Sequence, residues 1–563
     1  MNSLAERTVA RILAFGSAFV AVIVVTGSVT DPVNVTKIFA LGGVAVAAAF
    51  AIGVNGYKRL WKDGKAAIAA VVIFTVLGLS AVANSDAPFV QNFYGEYGRN
   101  TGFLAYMLLI LVFLSALALR AEGSFRLLIW GLILAGVVNV VYCLWVVIFG
   151  DFIPWNNPYG NILGTFGNPN FIGAFLGFFA SAMVAFVIKN KLSIYLTITA
   201  GIVFLIAVYE IIDSSAIQGR VVVLAGLAIV GFYLIRSTFI SIVPQLGYIA
   251  IVGVTGVLAL LGALQKGPLS AYIYKTSVSL RGEYWQAGWN MALEKPFTGV
   301  GFDAYGDWYR KVRDAQALIL PGPDTVTNAA HNVPFDVLAS GGWPLFIPYV
   351  FIVLLAFIAI VKVTLREKKY NPVFVAMTVA WVGYQLQSII SINQIGLAIW
   401  GWLFSGALIA YEVSTRNVEV ATPQEKRRKV STSRNTEQLF SPTLLAEVGF
   451  VIGGLIACPP YTADNKWRNA LASSSVEQLE AALVPGYLNP ANSYKYASAV
   501  GIFEQNKFPD QAYKYAKIAV EFNPNDFDSW KILYSIRKSS PEERADALAN
   551  MKRLDPLNPS LQG

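Results

Sequence analysis

Thr101-Gly-Phe-Leu-Ala-Tyr-Met-Leu-Leu-Ile-Leu-Val-Phe-Leu-Ser-Ala-Leu-Ala-Leu119 runs from end to end without a charge and stops at Arg120. A helix of this length crosses most of the roughly 30 Å of hydrocarbon in a bilayer, and in lipid a single segment satisfies its own backbone only as a helix. Comparable stretches occur near 8–30, 35–54, 66–83, 127–149, 169–188, 192–211, 221–235, 244–264, 344–361, 373–390, 396–412 and 443–458. The chain of 563 residues is 55% hydrophobic and only 14% charged, with a mean hydropathy of +0.54, outside the range of soluble globular domains. The expected fold is all-α: a polytopic membrane protein with about twelve core transmembrane helices and a thirteenth.

Lys and Arg resist translocation and collect on the cytoplasmic side. They crowd into alternate connections, as in Lys58, Arg59, Lys62 and Lys65, then Lys362, Arg366, Lys368 and Lys369, then Arg416, Lys426–Lys429 and Arg434. The opposite short connections hold Lys37, Arg99 and Arg220. The expected arrangement is a multi-pass protein of the cytoplasmic (inner) membrane, with its N-terminus inside and its C-terminal domain extracytoplasmic. The net charge of +9 is this topological excess, with contact to membrane lipid and no nucleic-acid motif. Cys143 and Cys458 do not suggest a disulfide. Leu455-Ile-Ala-Cys458 resembles a lipoprotein cleavage box but is internal, and the first span reads as an anchor.

Four regions follow: a membrane core over 1–412 with a large extracytoplasmic loop over 265–343, a basic cytoplasmic linker over 413–442, a further span over 443–458, and a polar domain over 465–563. A loop that long without a function is uncommon. In it Arg281-Gly-Glu-Tyr-Trp-Gln-Ala-Gly-Trp-Asn-Met-Ala-Leu293 reads as an amphipathic helix with Trp285 and Trp289 on its apolar stripe, closed by Pro296-Phe-Thr-Gly299-Val-Gly301. In the last region Asn489-Pro490, Asn523-Pro524 and Asp555-Pro556 recur near the tetratricopeptide period. Tyr496, Phe503, Ala512, Ala519 and Trp530 then fall at its large and small positions, so the expectation is an extracytoplasmic tetratricopeptide-like domain, either a stabilising cap or a dock for a protein partner. Asp526-Phe-Asp528 has the spacing of a metal-binding pair, but it follows Asn523-Pro524 and reads as a turn.

The one histidine, His331, lies in the large loop in Asn328-Ala-Ala-His331-Asn332. An imidazole titrates near neutrality and is the best single candidate for acid–base chemistry. Arg99 and Arg220 oppose the charge bias at membrane boundaries, and Arg281 opens the amphipathic helix, so all three fall on the expected side of His331. Guanidinium groups grip phosphate oxygens bidentately, and arginines beside one histidine describe a diphosphate site. One histidine and two distant cysteines cannot build a zinc site, and no metal or other cofactor is expected.

Gly95-Glu-Tyr-Gly-Arg99-Asn-Thr-Gly102, Phe166-Gly-Asn168-Pro-Asn170-Phe-Ile-Gly, Gln218-Gly-Arg220, Arg281 with Tyr284-Trp285, Pro296-Phe-Thr-Gly-Val-Gly301, and His331-Asn332 followed by Gly341-Gly342 together resemble the bacterial superfamily of O-antigen ligases, O-antigen polymerases and protein O-oligosaccharyltransferases. The outer repeats resemble one branch of it. The resemblance implies a GT-C-like, metal-independent, inverting glycosyltransferase. It would take a glycan from undecaprenyl diphosphate and join it to a glycan, lipid or protein acceptor hydroxyl outside the membrane. His331 would be the base, Arg220 and Arg281 would hold the diphosphate, and Arg99 would assist. Gln218, Asn332, Asn168, Asn170 and Tyr284 would be auxiliary. The family pattern has a glutamate where Ala339-Ser340 stand, so no role rests on that carboxylate here. The rival readings are a polysaccharide polymerase, a lipid-linked glycan flippase, and a non-enzymatic scaffold. No inverted pair of span sets favours the flippase, and the scaffold leaves the loop unexplained.

Overall fold

The computed structural model describes residues 3–274, 276–419 and 440–562, and every regular element among them is helical. The first nine helices are α1 (Ser3–Val22), α2 (Asn34–Asp63), α3 (Lys65–Ala83), α4 (Phe89–Tyr94), α5 (Phe103–Leu117), α6 (Glu122–Phe149), α7 (Pro169–Val187), α8 (Ile194–Asp213) and α9 (Ile217–Thr238). There follow α10 (Val243–Ala263), α11 (Ser270–Ile273), α12 (Thr276–Glu294), α13 (Tyr305–Val312), α14 (Val333–Arg366), α15 (Pro372–Ile390) and α16 (Ile395–Glu419). The last seven are α17 (Pro442–Ala457), α18 (Pro459–Ser473), α19 (Val476–Leu483), α20 (Ser493–Gln505), α21 (Pro509–Phe522), α22 (Phe527–Ser535) and α23 (Pro541–Leu554). Among the described residues ten helices are long and apolar enough to cross a membrane, or eleven if α17 and α18, bent by 53°, are one span. The thirteen expected spans also include α1 and the 15-residue α5, which pack within the same bundle. The protein is a multi-pass helical membrane protein.

Several spans begin where the sequence places a capping side chain before proline. Asn168, Asn371 and Ser441 cap α7, α15 and α17, each with proline in the first turn, where its missing N–H removes no helix bond. Other boundaries differ from expectation. The first span ends at Val22, because Lys37 reaches from α2 to donate to Val20 O (3.0 Å) and Ala21 O (2.5 Å). This buried lysine, assigned above to an outer connection, therefore caps the end of α1. The large loop ends at Asn332, since α14 starts eleven residues before the expected span and breaks at Gly342 (φ 63°, ψ −167°).

One end of the bundle gathers the 23–33 connection, the Arg99 turn, the 150–168 segment, the 391–394 connection and the large loop. The other end holds basic connections, some pinned by carboxylates, as Arg120 to Asp63 (3.2 Å) and Arg366 to Glu412 (3.5 Å). Most of the basic linker, residues 420–439, lies outside the described residues. Within the bundle α17 packs on α2 with almost no side chain between the backbones. A Cβ added at Gly453 would collide with Gly42 O, and one at Gly42 with Ala457 and Gly453. Small residues permit such approach in lipid, where dispersion replaces the hydrophobic effect.

Helices α18–α23 enclose a second core in which Trp467, Tyr496, Phe503, Ala512, Ala519 and Trp530 are buried. Asp526 caps α22 by accepting from Asp528 N (3.2 Å), as turn chemistry requires. This unit is fastened to the first by buried polar contacts. The Asp464 carboxylate accepts from Thr30 N (2.7 Å), Asp31 N (2.8 Å) and Tyr97 OH (2.9 Å). Asp555 receives Arg313 (2.7 Å) and Arg310 (3.2 Å) of the α13 segment, with Asp555 and Arg313 side chains fully buried.

Two stability outcomes follow. Gly453→Val overpacks the α2–α17 contact and costs about 1–3 kcal/mol; the detergent-solubilised protein melts at lower temperature, whereas Gly501→Ala, whose Cβ meets nothing within 4 Å, leaves melting unchanged or slightly raised. Asp555→Ala strands two buried guanidinium groups, a loss on the order of 3–5 kcal/mol. Limited proteolysis then cuts the chain between α17 and α23 in the variant under conditions where the parent is intact.

Candidate active site

His331 sits in the last turn before α14 with a left-handed backbone (φ 56°), a conformation that a non-glycine residue keeps only when its neighbours hold it. Two bonds do so. Asn332 caps α14, its side chain accepting from Phe335 N (3.1 Å), and Asp336 accepts from Ala330 N (2.7 Å). The helix they anchor is clamped in turn. Val300 N and Gly301 N donate to Ala339 O (2.8 Å) and Ser340 O (3.0 Å), and Trp343 N donates to Pro296 O (2.9 Å). At Gly299 and Gly342 an added Cβ would strike the opposing backbone, and both have positive φ. The Pro296–Gly301 motif and the Gly341-Gly342 pair are thus two halves of one backbone joint, and Ala339-Ser340 contribute carbonyls to it.

The imidazole's protonation pattern is set locally. Nδ1 lies 3.3 Å from Ala329 O, which can only accept, and the Thr327 hydroxyl spends its proton on the same carbonyl (2.7 Å). Nδ1 therefore carries the hydrogen and Nε2 keeps a lone pair. Tyr284, buried on α12, lies over the ring at 5.2 Å and 34°. Burial, then the Arg99 and Arg281 guanidinium charges, lower the His331 pKa to about 4, so it is neutral through the physiological range.

Arg99 donates to Asn328 Oδ1, three residues from His331. Its turn is built around Asp303, whose carboxylate accepts from Thr101 Oγ1 (2.8 Å), Thr101 N (3.1 Å) and Glu96 N (3.0 Å). Burial raises the pKa of Asp303 and lifts that of Glu96 to about 8. Arg281 donates from Nε to Ile390 O (2.7 Å), the last residue of α15, and from Nη1 to Ser277 O (3.1 Å). Arg99 and Arg281 thus both act on His331.

Arg220 stands differently. It is exposed in the first turn of α9 and donates to Ile212 O (3.3 Å) of α8, and no described hydrogen bond joins it to His331. Beside it Gln218 is buried, with neither side-chain polar atom partnered among the described residues. Gln218 and Gln387 each lie one turn from the place where Val222 meets Gly383, at the end of the α9–α15 pair that also receives Arg281. Asn168 caps α7 by accepting from Asn170 N (2.9 Å), which accounts for Asn170 as a backbone donor. On α12 the buried face is Tyr284, Ala287, Gly288 and Met291. Trp285 stacks on Phe335 (6.0 Å), and Trp289 is exposed, edge-on to Trp343. The expected tryptophan stripe is therefore the margin of the buried face: it meets Phe335 and Trp343 of α14, while Gly288 leaves room for Tyr305 of α13.

Sequence reasoning missed Asp303 and Asp336, which hold the two turns, and Asn328, Asn393 and Gln394. The last two stand in Ser391-Ile-Asn-Gln394 between spans, and three polar residues in a four-residue connection were their only signal. No group of three or more His, Cys, Asp or Glu able to hold a metal occurs among the described residues.

Residues 172–350 match the family model described as O-antigen ligase. A search of curated proteins finds no match. The matched segment runs from the first turn of α7 into α14 and carries Arg220, Arg281, Tyr284, His331 and the glycine joint. Over this segment the chain is similar to the O-antigen ligase family.

Proposed function

We propose that the protein transfers a glycan from a polyprenyl (undecaprenyl) diphosphate carrier to an acceptor hydroxyl on the outer face of the cytoplasmic membrane. The observation that carries this reading is His331, its Nδ1 committed to Ala329 O and its Nε2 free, under the charge of Arg99 and Arg281. Nε2 takes the proton of the acceptor hydroxyl as that oxygen bonds to the anomeric carbon. The bond from that carbon to the diphosphate breaks, and its electron pair leaves on the diphosphate. Arg281 and Arg99 neutralise the departing charge, and Arg220, at the mouth of the same α9–α15 pair, receives the carrier phosphates. Fixed cations aimed at a leaving group act most strongly where water is scarce. A single displacement inverts the anomeric centre.

The same charges tune the base. Burial first, and then two guanidinium groups, hold the imidazole pKa low in the free protein; a diphosphate beside those groups offsets their part, so basicity rises when the donor is bound. A ligase or protein oligosaccharyltransferase is favoured over a polymerase by the C-terminal helices. Their tetratricopeptide-like spacing and exposed faces suit a macromolecular acceptor, although Asp464, Asn523 and Asp555 are already used within the chain.

His331→Ala lowers transfer by about 10²–10⁴-fold, and Arg281→Ala or Arg220→Ala by about 10²-fold or more, in protein that still inserts and elutes as the parent does. Carrier-linked glycan accumulates in cells that depend on these variants; unchanged transfer in all three overturns the assignment. In the pH profile of kcat/KM, activity falls on the acid side as Nε2 takes a proton. The limb lies near pH 4 for the parent. Removing a neighbouring cation raises the imidazole pKa, so the residual activity of Arg281→Lys keeps the parent's limb while that of Arg281→Ala falls at higher pH.

A further inference from the structure

Next to the Arg99–Asn328 contact is a cavity of about 440 Å³ at the N-terminal turns of α2, α7 and α16, within the range of about 300–1,000 Å³ typical of small-molecule sites. Six amide side chains line it: Asn34, Asn156, Asn168, Asn328, Asn393 and Gln394. Trp155 and Phe166 add aromatic surface, and the charged side chains Arg99 and Asp31 also line it.

Helix caps orient two of these amides. Gln394 Oε1 accepts from Leu397 N (3.1 Å) and Asn168 Oδ1 from Asn170 N (2.9 Å), so in each the oxygen faces its helix and the NH2 group is turned from it. Gln394 is 4% exposed, and its Nε2 has no partner among the described residues; Asn393 is 9% exposed, and its Oδ1 likewise has none. A buried donor and a buried acceptor without partners, on adjacent residues that line the cavity, are costly unless something uses them. Phosphate oxygens only accept and so could use only the free donor, while a cation could use only the free acceptor. A sugar hydroxyl both donates and accepts through its one oxygen, so it can pair with an amide NH2 group and an amide oxygen together.

We propose that this cavity is a sugar-binding subsite that holds uncharged, polyhydroxylated units of the glycan adjoining the bond that is transferred. The proposal rests on the glycan-transfer reading above. The sugar belongs either to the donor, its diphosphate at Arg99, or to the acceptor, its hydroxyl turned toward His331; the recognising chemistry is the same.

Gln394→Glu keeps the cap oxygen but replaces the free donor, and Asn393→Ala removes the free acceptor. The full-length parent and variants in lipid nanodiscs are titrated with three probes. These are carrier-linked glycan extracted from cells lacking the protein, undecaprenyl diphosphate alone, and soluble oligosaccharide released from the same cells' surface polysaccharide. If the subsite takes the donor sugar, the parent prefers the glycosylated carrier, and each variant loses about tenfold of that affinity while binding the bare carrier unchanged. If it takes the acceptor sugar, the same loss falls on the soluble oligosaccharide. Variants that bind both glycan probes like the parent, or a parent that prefers neither glycan, overturn the subsite. Absence of accumulated carrier-linked glycan in the cells overturns instead the transfer reading on which it stands.

Discussion

A helix running through hydrocarbon can be interrupted only where something else takes its hydrogen bonds. In α14 the interruption at Gly342 is matched by the Pro296–Gly301 segment, whose backbone donates to Ala339 and Ser340 and accepts from Trp343. Glycine is required on both sides, since a Cβ at Gly299 or Gly342 would enter the opposing chain. This joint ties the end of α12 to the start of α14. It fixes where Asn332 begins the helix, and so where His331 is displayed. The arginines reach the imidazole from different elements, Arg99 through its turn on Asp303 and Arg281 through the end of α15, and both placements presuppose the joint.

The charge arrangement has a chemical logic. An imidazole surrounded by cations is a weak base, and one with its Nδ1 hydrogen committed to a carbonyl can use only one face. Both features suppress proton uptake by the ring. The C-terminal helices bear on this end of the molecule through Asp464, which holds the 30–31 backbone and Tyr97, close in sequence to Arg99. They thereby brace the turn that carries one of the two cations.

Much of the bundle was legible because long uncharged stretches have one low-energy form in lipid, and proline-preceded caps mark where they start. The candidate residues of the large loop were legible as unusual types in an unusual place. Boundaries were less so. Lys37 reads as a loop charge but is a buried cap, because hydropathy does not show that α1 leaves carbonyls nearby. The first turns of α14 read as loop, because Asn332 and Asp336 satisfy a polar helix start that hydropathy cannot see. Asn393 and Gln394 read as a short connection; only the folded chain shows them beside Asn34, Asn168 and Asn328, far apart in sequence. Arg220 was grouped with Arg281 by type and side, while its described bond is to α8.

The chain's single histidine makes the central claim directly measurable. In protein labelled with ¹⁵N-histidine, every imidazole resonance belongs to His331. The account predicts that Nδ1 carries the hydrogen, that the ring stays neutral until the pH falls toward about 4, and that undecaprenyl diphosphate raises the titration midpoint. A midpoint at the ordinary histidine value, near 6.5, unmoved by undecaprenyl diphosphate, or a hydrogen on Nε2 in the neutral form, would contradict it.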